Sequence, residues 1–591
     1  MPETPDETGA MTVDVSTKVK PRRGVPVGVL VIIAIVAVGV GVLLAALIAN
    51  ISGKKAESTM PAYQPVVVID STNQYDPSVW GQNFPNEYNG WAATADFSPS
   101  MHLTAADKLS PSDPAAAVNP AGLNASDAAK NPAPVNALPA DTDVVPRDWV
   151  TPEKITQDPR LVTMWNGYAF AEDYRHLRGH AYMSIDQRDT LRVSAPPKAQ
   201  PGACINCHVS LPGVLSILGN GTVDKPVEVN FDLGDANMNA AFDALNTMKY
   251  LAPDPSDDTK VTIDKSNPDG PTGLYGYIKD AGMEQPIGCI DCHDPATMQL
   301  RVTRPALING LAAEKAAQGI QGYDVNKDAT TAEMRVYVCA QCHVEYYFAP
   351  AAPAGTTPPA GTPKANTLTF PWGDGGTDID TIFGYYEDPD NFPATGQAFT
   401  DYTNALTGAG VLKAQHPEFE SWSEGIHAAN GVTCADCHMA YQRVSGQKVT
   451  NHDIASPINN LNSTCGTCHT ASDQSLLNQI TTIQARYTAS RDTAMDAVTQ
   501  LINAIAAAKA DGSVPQAQID AALSYQAKAA FYADYGYSEN SYGFHAPDYF
   551  QRIFNESLDA SRQGQLVLMG VDPATLAPSD VTVANQQKTD R

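Results

Sequence analysis

The chain has 591 residues, of which 43% are hydrophobic and 17% charged, and its formal net charge is −27. So acidic a chain is excluded as a nucleic-acid binder. An anionic substrate would need a locally positive channel, because screening confines the unfavourable field to about 8 Å at physiological salt.

Residues 1–23 read as a polar cytoplasmic tail. Residues 24–49 form an apolar run without a charge, long enough to span a bilayer. Lys18, Lys20, Arg22 and Arg23 precede it and Lys54 and Lys55 follow, which places the N-terminus inside. The run is long for a cleaved signal, so it is expected to be an uncleaved transmembrane anchor holding the chain at the extracytoplasmic face of the membrane. An Ala/Asn cluster at its end leaves open the alternative of cleavage and a secreted or periplasmic form. Residues 50–150 are an Ala/Pro/Asp-rich extracytoplasmic segment, with 107–146 resembling a surface wrap or linker.

Residues 151–471 hold all ten cysteines, each in a C-x-x-C-H motif: Cys204/Cys207/His208, Cys289/Cys292/His293, Cys339/Cys342/His343, Cys434/Cys437/His438 and Cys465/Cys468/His469. Two thiols three residues apart reach the two vinyl groups of one porphyrin, and the adjacent His meets the iron as proximal ligand. Zinc sites pair C-x-x-C differently, a thioredoxin-like site would not recur five times, and a disulfide framework would leave the five histidines unexplained. Five haem c groups are therefore expected, each motif on a helical turn that puts Cys, Cys and His on one face.

Long β-branched alternation is scarce, so the fold class is mainly α with extensive loops around the haems. Two insertions stand out: a long polar stretch at 209–275, and a Pro/Gly/Ala loop at 349–366. Residues 472–591 form a C-terminal helical region. Apolar positions at helical spacing from Leu476 to Ile505 predict two long helices broken near Asp511–Pro515, with another after Pro547.

Twelve histidines are present; seven do not belong to a motif: His102, His176, His180, His416, His427, His452 and His545. Five bis-histidine irons need five of these, and four suffice if one iron keeps an open face for substrate. The count allows both.

The run Cys339-Ala-Gln-Cys342-His343-Val344-Glu345-Tyr346-Tyr347-Phe348, then Leu412-Lys413-Ala414-Gln415-His416-Pro417-Glu418-Phe419-Glu420, Gly425-Ile426-His427 and Cys434-Ala-Asp-Cys437-His438-Met439, with Arg178-Gly179-His180 and Thr190-Leu191-Arg192 upstream, closely resembles the ammonia-forming cytochrome c nitrite reductases, a pentahaem family. The resemblance spans roughly 150–560. It implies six-electron reduction of nitrite to ammonium at the first haem, with four bis-histidine haems relaying electrons. Distal ligands by resemblance are His180 for the third haem, His427 for the fifth, His452 for the second and His545 for the fourth. The resemblance places Arg192, Tyr346 and His416 in the first haem's distal pocket. It also implies a Ca²⁺ site from Glu345, Gln415 and the carbonyls of Tyr346 and Lys413, all hard oxygen donors. A homodimer through the C-terminal helices is implied, and a quinol-oxidising multihaem cytochrome as electron donor.

One departure matters. The family's familiar first motif ends in Lys, whereas here it ends in His208. His ligation alters the iron's potential and leaves two rivals open: an electron-transfer cytochrome without catalysis, in which His176 or His416 closes the first iron, and a reductase acting mainly on hydroxylamine, nitric oxide or sulfite.

Overall fold

The computed structural model describes residues 65–95 and 154–571, apart from 177, 191, 193–200, 251–252, 255–256, 262–272 and 374–375. The expected anchor at 24–49 and linker at 107–146 lie outside the described residues, and among these no helix is long and apolar enough to cross a membrane. The described helices fall in one unit, Val67–Arg591.

The architecture is mainly helical. The described strands form only two-stranded antiparallel sheets, the longest being the hairpin Tyr441–Val444 with Gln447–Thr450. Each cysteine motif lies on a tight turn: Gly202–Cys204 running into Ile205–His208, Cys289–Cys292, the end of Thr331–Ala340, Cys434–His438 and the 3₁₀ turn Cys465–Thr467. Two of these begin with reciprocal caps. Thr330 bonds the Glu333 amide while Glu333 returns to the Thr330 amide, and Asp436 accepts from the amide and hydroxyl of Thr433. Each cap satisfies amides that a helix start leaves unpaired.

Three long helices close the chain: Asp473–Asp511, Gln516–Ser538 and Pro547–Leu568. Ser472 caps the first at its start, and Gly512 ends it at φ 70°, a left-handed conformation that glycine adopts without steric cost. Met495, Val498, Leu501, Ile502 and Ile505 recur at helical spacing and are fully buried. Gly536 lets the second and third helices meet closely, since a Cβ there would lie 2.2 Å from the Phe554 ring.

Two segments differ from what their composition suggests. The stretch between the first two motifs is polar overall, yet Leu211–Ile217 is buried throughout, and Met238, Ala241, Phe242 and Leu245 of the Ala236–Thr247 helix join the same core. A few apolar residues at helical spacing outweigh the average polarity of the stretch. Within the Ala/Pro/Asp-rich segment, Pro77–Asn83 and Pro85–Ala93 are short helices packed beside the second motif. There the Trp91 indole donates to the Ile287 carbonyl at 2.7 Å, and Gly90 approaches the His452 backbone.

Candidate haem centres and substrate pocket

The turns bring the cysteine motifs together in a set order. The Cys207 thiol lies within hydrogen-bond reach of Cys342, and Cys339 within reach of Cys434. Cys292 is close to Cys339, and Cys437 is close to Cys465 and Cys468. The first motif thus neighbours the third, the third neighbours the second and the fourth, and the fourth neighbours the fifth.

Four motif histidines face a second histidine. Ring centroids are 6.5 Å apart for His343 and His180, 6.3 Å for His293 and His452, 6.5 Å for His438 and His545, and 6.4 Å for His469 and His427. Two imidazoles on opposite sides of one iron, with metal–nitrogen bonds of about 2.0 Å and about 1.1 Å from nitrogen to ring centre, require about 6.2 Å. The pairs therefore fit haem iron. Burial holds His438 to a pKa of about 4, and burial followed by the His343 charge does the same for His180, keeping both in the neutral form that binds metal.

His208 differs. Among the described residues no histidine ring faces it at that separation, and its Nδ1 instead meets the Met183 sulfur at 3.1 Å. Burial, then the charges of His416 and Arg192, pull its pKa down to about 3, which places both groups in its neighbourhood. Tyr346 is buried there as well: burial raises its phenol well above the ordinary range, and Cys207 and Cys204 add to the rise. Arg192 lies with its guanidinium 4.6 Å from the Phe170 ring centre and donates to the Asp173 carbonyl at 3.2 Å. His416 is half-buried, and its shielded Nδ1 has no hydrogen-bond partner among the described residues, an unsatisfied polar atom of the kind that marks working sites. The structure thus gathers Arg192, Tyr346 and His416 around the first motif, although they come from three separate segments.

His416 also lies 6.3 Å from His343 by ring centroids. Glu418 is 3.7 Å from Nδ1 of His343, and its charge reaches His416 too. Burial alone would lower His343, but Glu418 lifts it to about 9; burial would raise Glu418, yet His343 holds it near 2. The Nε2 of His176 lies 2.8 Å from the Gln157 side-chain oxygen.

The loop 413–416 is held by the second long helix. The Asp534 carboxylate accepts from the Ala414 amide at 3.0 Å and from the Lys413 ammonium at 3.1 Å, and the Ser538 hydroxyl donates to the Ala414 carbonyl at 3.1 Å. Lys413 is thereby paired with Asp534 rather than with Glu345. Glu345 is fully buried; its oxygens accept from the Gln415 amide at 2.6 Å and the Tyr386 hydroxyl at 3.2 Å. Glu420, equally buried, accepts from the Glu345 amide and the Trp372 indole, and its second oxygen has no partner among the described residues. Among the described residues neither carboxylate has a cationic side chain in ion-pair contact. The Gln415 amide meets the Lys413 carbonyl at 3.2 Å. No group of three or more His, Cys, Asp or Glu converges among the described residues, so a cation here would draw on Glu345, the Gln415 amide and main-chain carbonyls. Two buried carboxylates short of positive charge, beside neutral oxygens, fit a hard divalent ion.

A buried hub ties the first three motifs together, and motif spacing alone does not reveal it. The fully buried Arg304 donates from Nε to the Asn206 carbonyl at 2.8 Å, from Nη2 to the Val209 carbonyl at 3.1 Å, and from Nη1 to the Asp291 carboxylate. Asp291 also accepts from the Leu211 amide at 3.0 Å and the Gly288 amide at 2.8 Å. Gln341 donates to the Asp291 carbonyl at 3.1 Å and accepts from the Thr303 amide at 3.0 Å. Asn206, Asp291 and Gln341 stand at the same place in their motifs, immediately before the second cysteine. Asp291 and Gln341 enter the hub by their side chains and Asn206 by its carbonyl.

The cytochrome c552 family model matches residues 76–222 and 273–590, breaking across the long insertion. The chain belongs to the cytochrome c552 family. As a c-type cytochrome it carries haem c. Cytochrome c-552 of Bacteroides fragilis is 32% identical over 71% of this chain and 70% of the relative, and that of Parabacteroides distasonis is 34% identical over 69% and 68%. Among solved structures, the cytochrome c nitrite reductase catalytic subunit of Desulfovibrio desulfuricans, a protein with two calcium sites, matches with a TM-score of 0.59 at 23% identity, over 87% of this chain and 90% of that one. The fold of this cytochrome is thus that of a multihaem cytochrome.

Proposed function

We propose that this cytochrome reduces nitrite to ammonium at the haem held by Cys204, Cys207 and His208, and that the other four haems supply electrons to it. The observation that carries the reading is the contrast among the motif histidines. Four face a second histidine at coordinating separation, while His208 faces none among the described residues and has Arg192 and His416 in its neighbourhood, with Tyr346 beside its motif's cysteines.

The reaction consumes six electrons and eight protons per nitrite and yields ammonium and two waters. Bound haem supplies an iron able to take the substrate nitrogen and deliver electrons to it. Arg192 brings a fixed positive charge into a chain that is otherwise strongly acidic, which draws in the anion and steadies charge on its oxygens. His416, neutral at pH 7 because burial pulls it to about 4, accepts a hydrogen bond or passes a proton once substrate charge raises its basicity. Tyr346 keeps its proton and donates a hydrogen bond to a bound oxygen.

For the third iron, Glu418 lies on the Nδ1 flank of His343 and also acts on His416, which supports His180 on the opposite, iron-binding flank and leaves His416 for the substrate pocket. Calcium at Glu345, Gln415 and the carbonyls of Tyr346 and Lys413 would stiffen the two loops that carry Tyr346 and His416, and would add positive field beside nitrite. The exposed fifth motif suits electron uptake from a quinol-oxidising multihaem cytochrome, and the long C-terminal helices suit a homodimer. Hydroxylamine and nitric oxide, which lie on the same reduction path, would be side substrates, and sulfite a further one.

The test is turnover by the purified, chemically reduced chain. Nitrite should disappear with stoichiometric release of ammonium, and the oxidised protein should show one high-spin iron. His416→Asn should lower nitrite turnover by about 10²-fold with haem content unchanged. Five low-spin irons and no consumption of nitrite would leave an electron-transfer cytochrome instead.

A further inference from the structure

Each motif histidine that binds iron through Nε2 turns Nδ1 away from the metal, and the acceptor that Nδ1 meets sets how strongly the ring donates to iron. An anionic or carbonyl acceptor draws the Nδ1 proton, gives the ring imidazolate character and favours the ferric state; a weak acceptor does the reverse. The motifs differ in this partner. His293 meets the Met298 carbonyl at 2.9 Å, His438 the Ala455 carbonyl at 3.2 Å, and His343 the Glu418 carboxylate at 3.7 Å. His208 meets the thioether of Met183 at 3.1 Å. A thioether sulfur is a much weaker acceptor than either kind of oxygen.

Met183 also has a telling place in the chain. It opens the helix Met183–Asp189 directly after the 3₁₀ turn His180–Tyr182. One short segment therefore presents His180 to the third motif and, three residues on, the sulfur to the first. The turn is tied down: the Gly179 amide donates to the Thr94 carbonyl at 2.8 Å, and the Ala181 amide to the Thr94 hydroxyl at 3.0 Å.

We propose that Met183 is a positioning residue for the first haem: its sulfur receives the Nδ1 proton of His208, weakens the histidine as a donor, and sets the first iron at a higher potential than a carbonyl partner would. This rests on the proposed reading that His208 is the first iron's proximal ligand. Electrons arriving through the third haem then run downhill to the first.

The experiment compares wild type with Met183→Gln, which keeps the length of the side chain and supplies an amide oxygen, and with Met183→Leu, which keeps the bulk and supplies no acceptor. Redox titration followed by optical and electron paramagnetic resonance spectra reads the five midpoints, and resonance Raman reads the iron–histidine stretch of the reduced first haem. Met183→Gln should lower the first-haem midpoint and raise the stretching frequency. Met183→Leu should leave both at or beyond the wild-type values in the opposite direction. The other four midpoints and the haem content should stay unmoved. Identical first-haem midpoint and stretch in all three proteins would overturn the assignment, as would a shift spread equally over all five haems. The predicted pattern in a protein that does not reduce nitrite would uphold the role of Met183 and remove the proposed activity, so the two failures are distinguishable.

Discussion

The first three motifs and the last two are built differently. Of the residues before the second cysteine in motifs one to three, Asp291 and Gln341 send side chains into one buried network around Arg304, which Asn206 joins through its main-chain carbonyl, and Asp291 caps its own turn at Gly288 as well. In the fourth motif the matching residue, Asp436, folds back to cap its own helix at Thr433 and meets Arg335 at the surface. In the fifth, the Thr467 hydroxyl stays within its own turn, donating to the Thr464 carbonyl at 2.7 Å and lying 3.8 Å from the Cys468 sulfur. The inner motifs are thus locked to one another by buried bonds, while the fourth is held by its own cap and a surface ion pair to the third motif's helix and the fifth by its own turn. Rigid spacing is kept where substrate chemistry and the branching of the electron path are proposed to occur.

The largest effect should come from breaking the hub. Arg304→Met leaves Asp291 charged, buried and unpaired, which costs about 3–5 kcal/mol. Thermal denaturation should show that loss, and adding Asp291→Asn should recover part of it. Equal stability in wild type and Arg304→Met would mean that the inner motifs are no better locked than the outer ones. A middle-sized effect should follow Glu539→Gln, whose carboxylate lies 2.6 Å from Nδ1 of His545. Burial works against protonation of His545, but Glu539 raises its pKa. Removing that charge should move the fourth haem's midpoint upward in a redox titration and leave the first haem's in place, since no hub joins the two motifs. A first-haem shift of the same size would erase the distinction. The smallest effect belongs to Thr467→Ala in the exposed fifth turn, where unfolding by urea should change by no more than about 0.5 kcal/mol.

The five attachment motifs and the helices after residue 472 could be read directly, because both are local: a fixed i, i+3, i+4 spacing in one case and a periodic apolar stripe in the other. The insertion at 209–275 was harder. Its average composition is polar, and only packing revealed that Leu211–Ile217 and the Ala236–Thr247 helix build core beneath the first motif. The hub went unseen for a related reason. Arg304 follows Thr303 in an unremarkable stretch, and its partners at Asn206 and Asp291 are 98 and 13 residues away. Nor does a low content of charged residues show which charges are buried against each other.

By itself the sequence determined the chemistry of attachment: ten thiols, five adjacent imidazoles and an acidic chain to carry them. Resemblance extended this to a ranking of the remaining histidines. What only the tertiary structure decided is which imidazoles stand 6.3 to 6.5 Å apart, which stands without a ring opposite among the described residues, and which atoms the second nitrogens touch. The physical reason is distance along the chain. A covalent motif is made by neighbours, while an iron's two faces are made by segments up to 163 residues apart, as with His343 and His180, brought together only when the whole chain packs. His208 looks ordinary among the five motifs, and it becomes different through Met183, Arg192, Tyr346 and His416, none of which lies in its own motif.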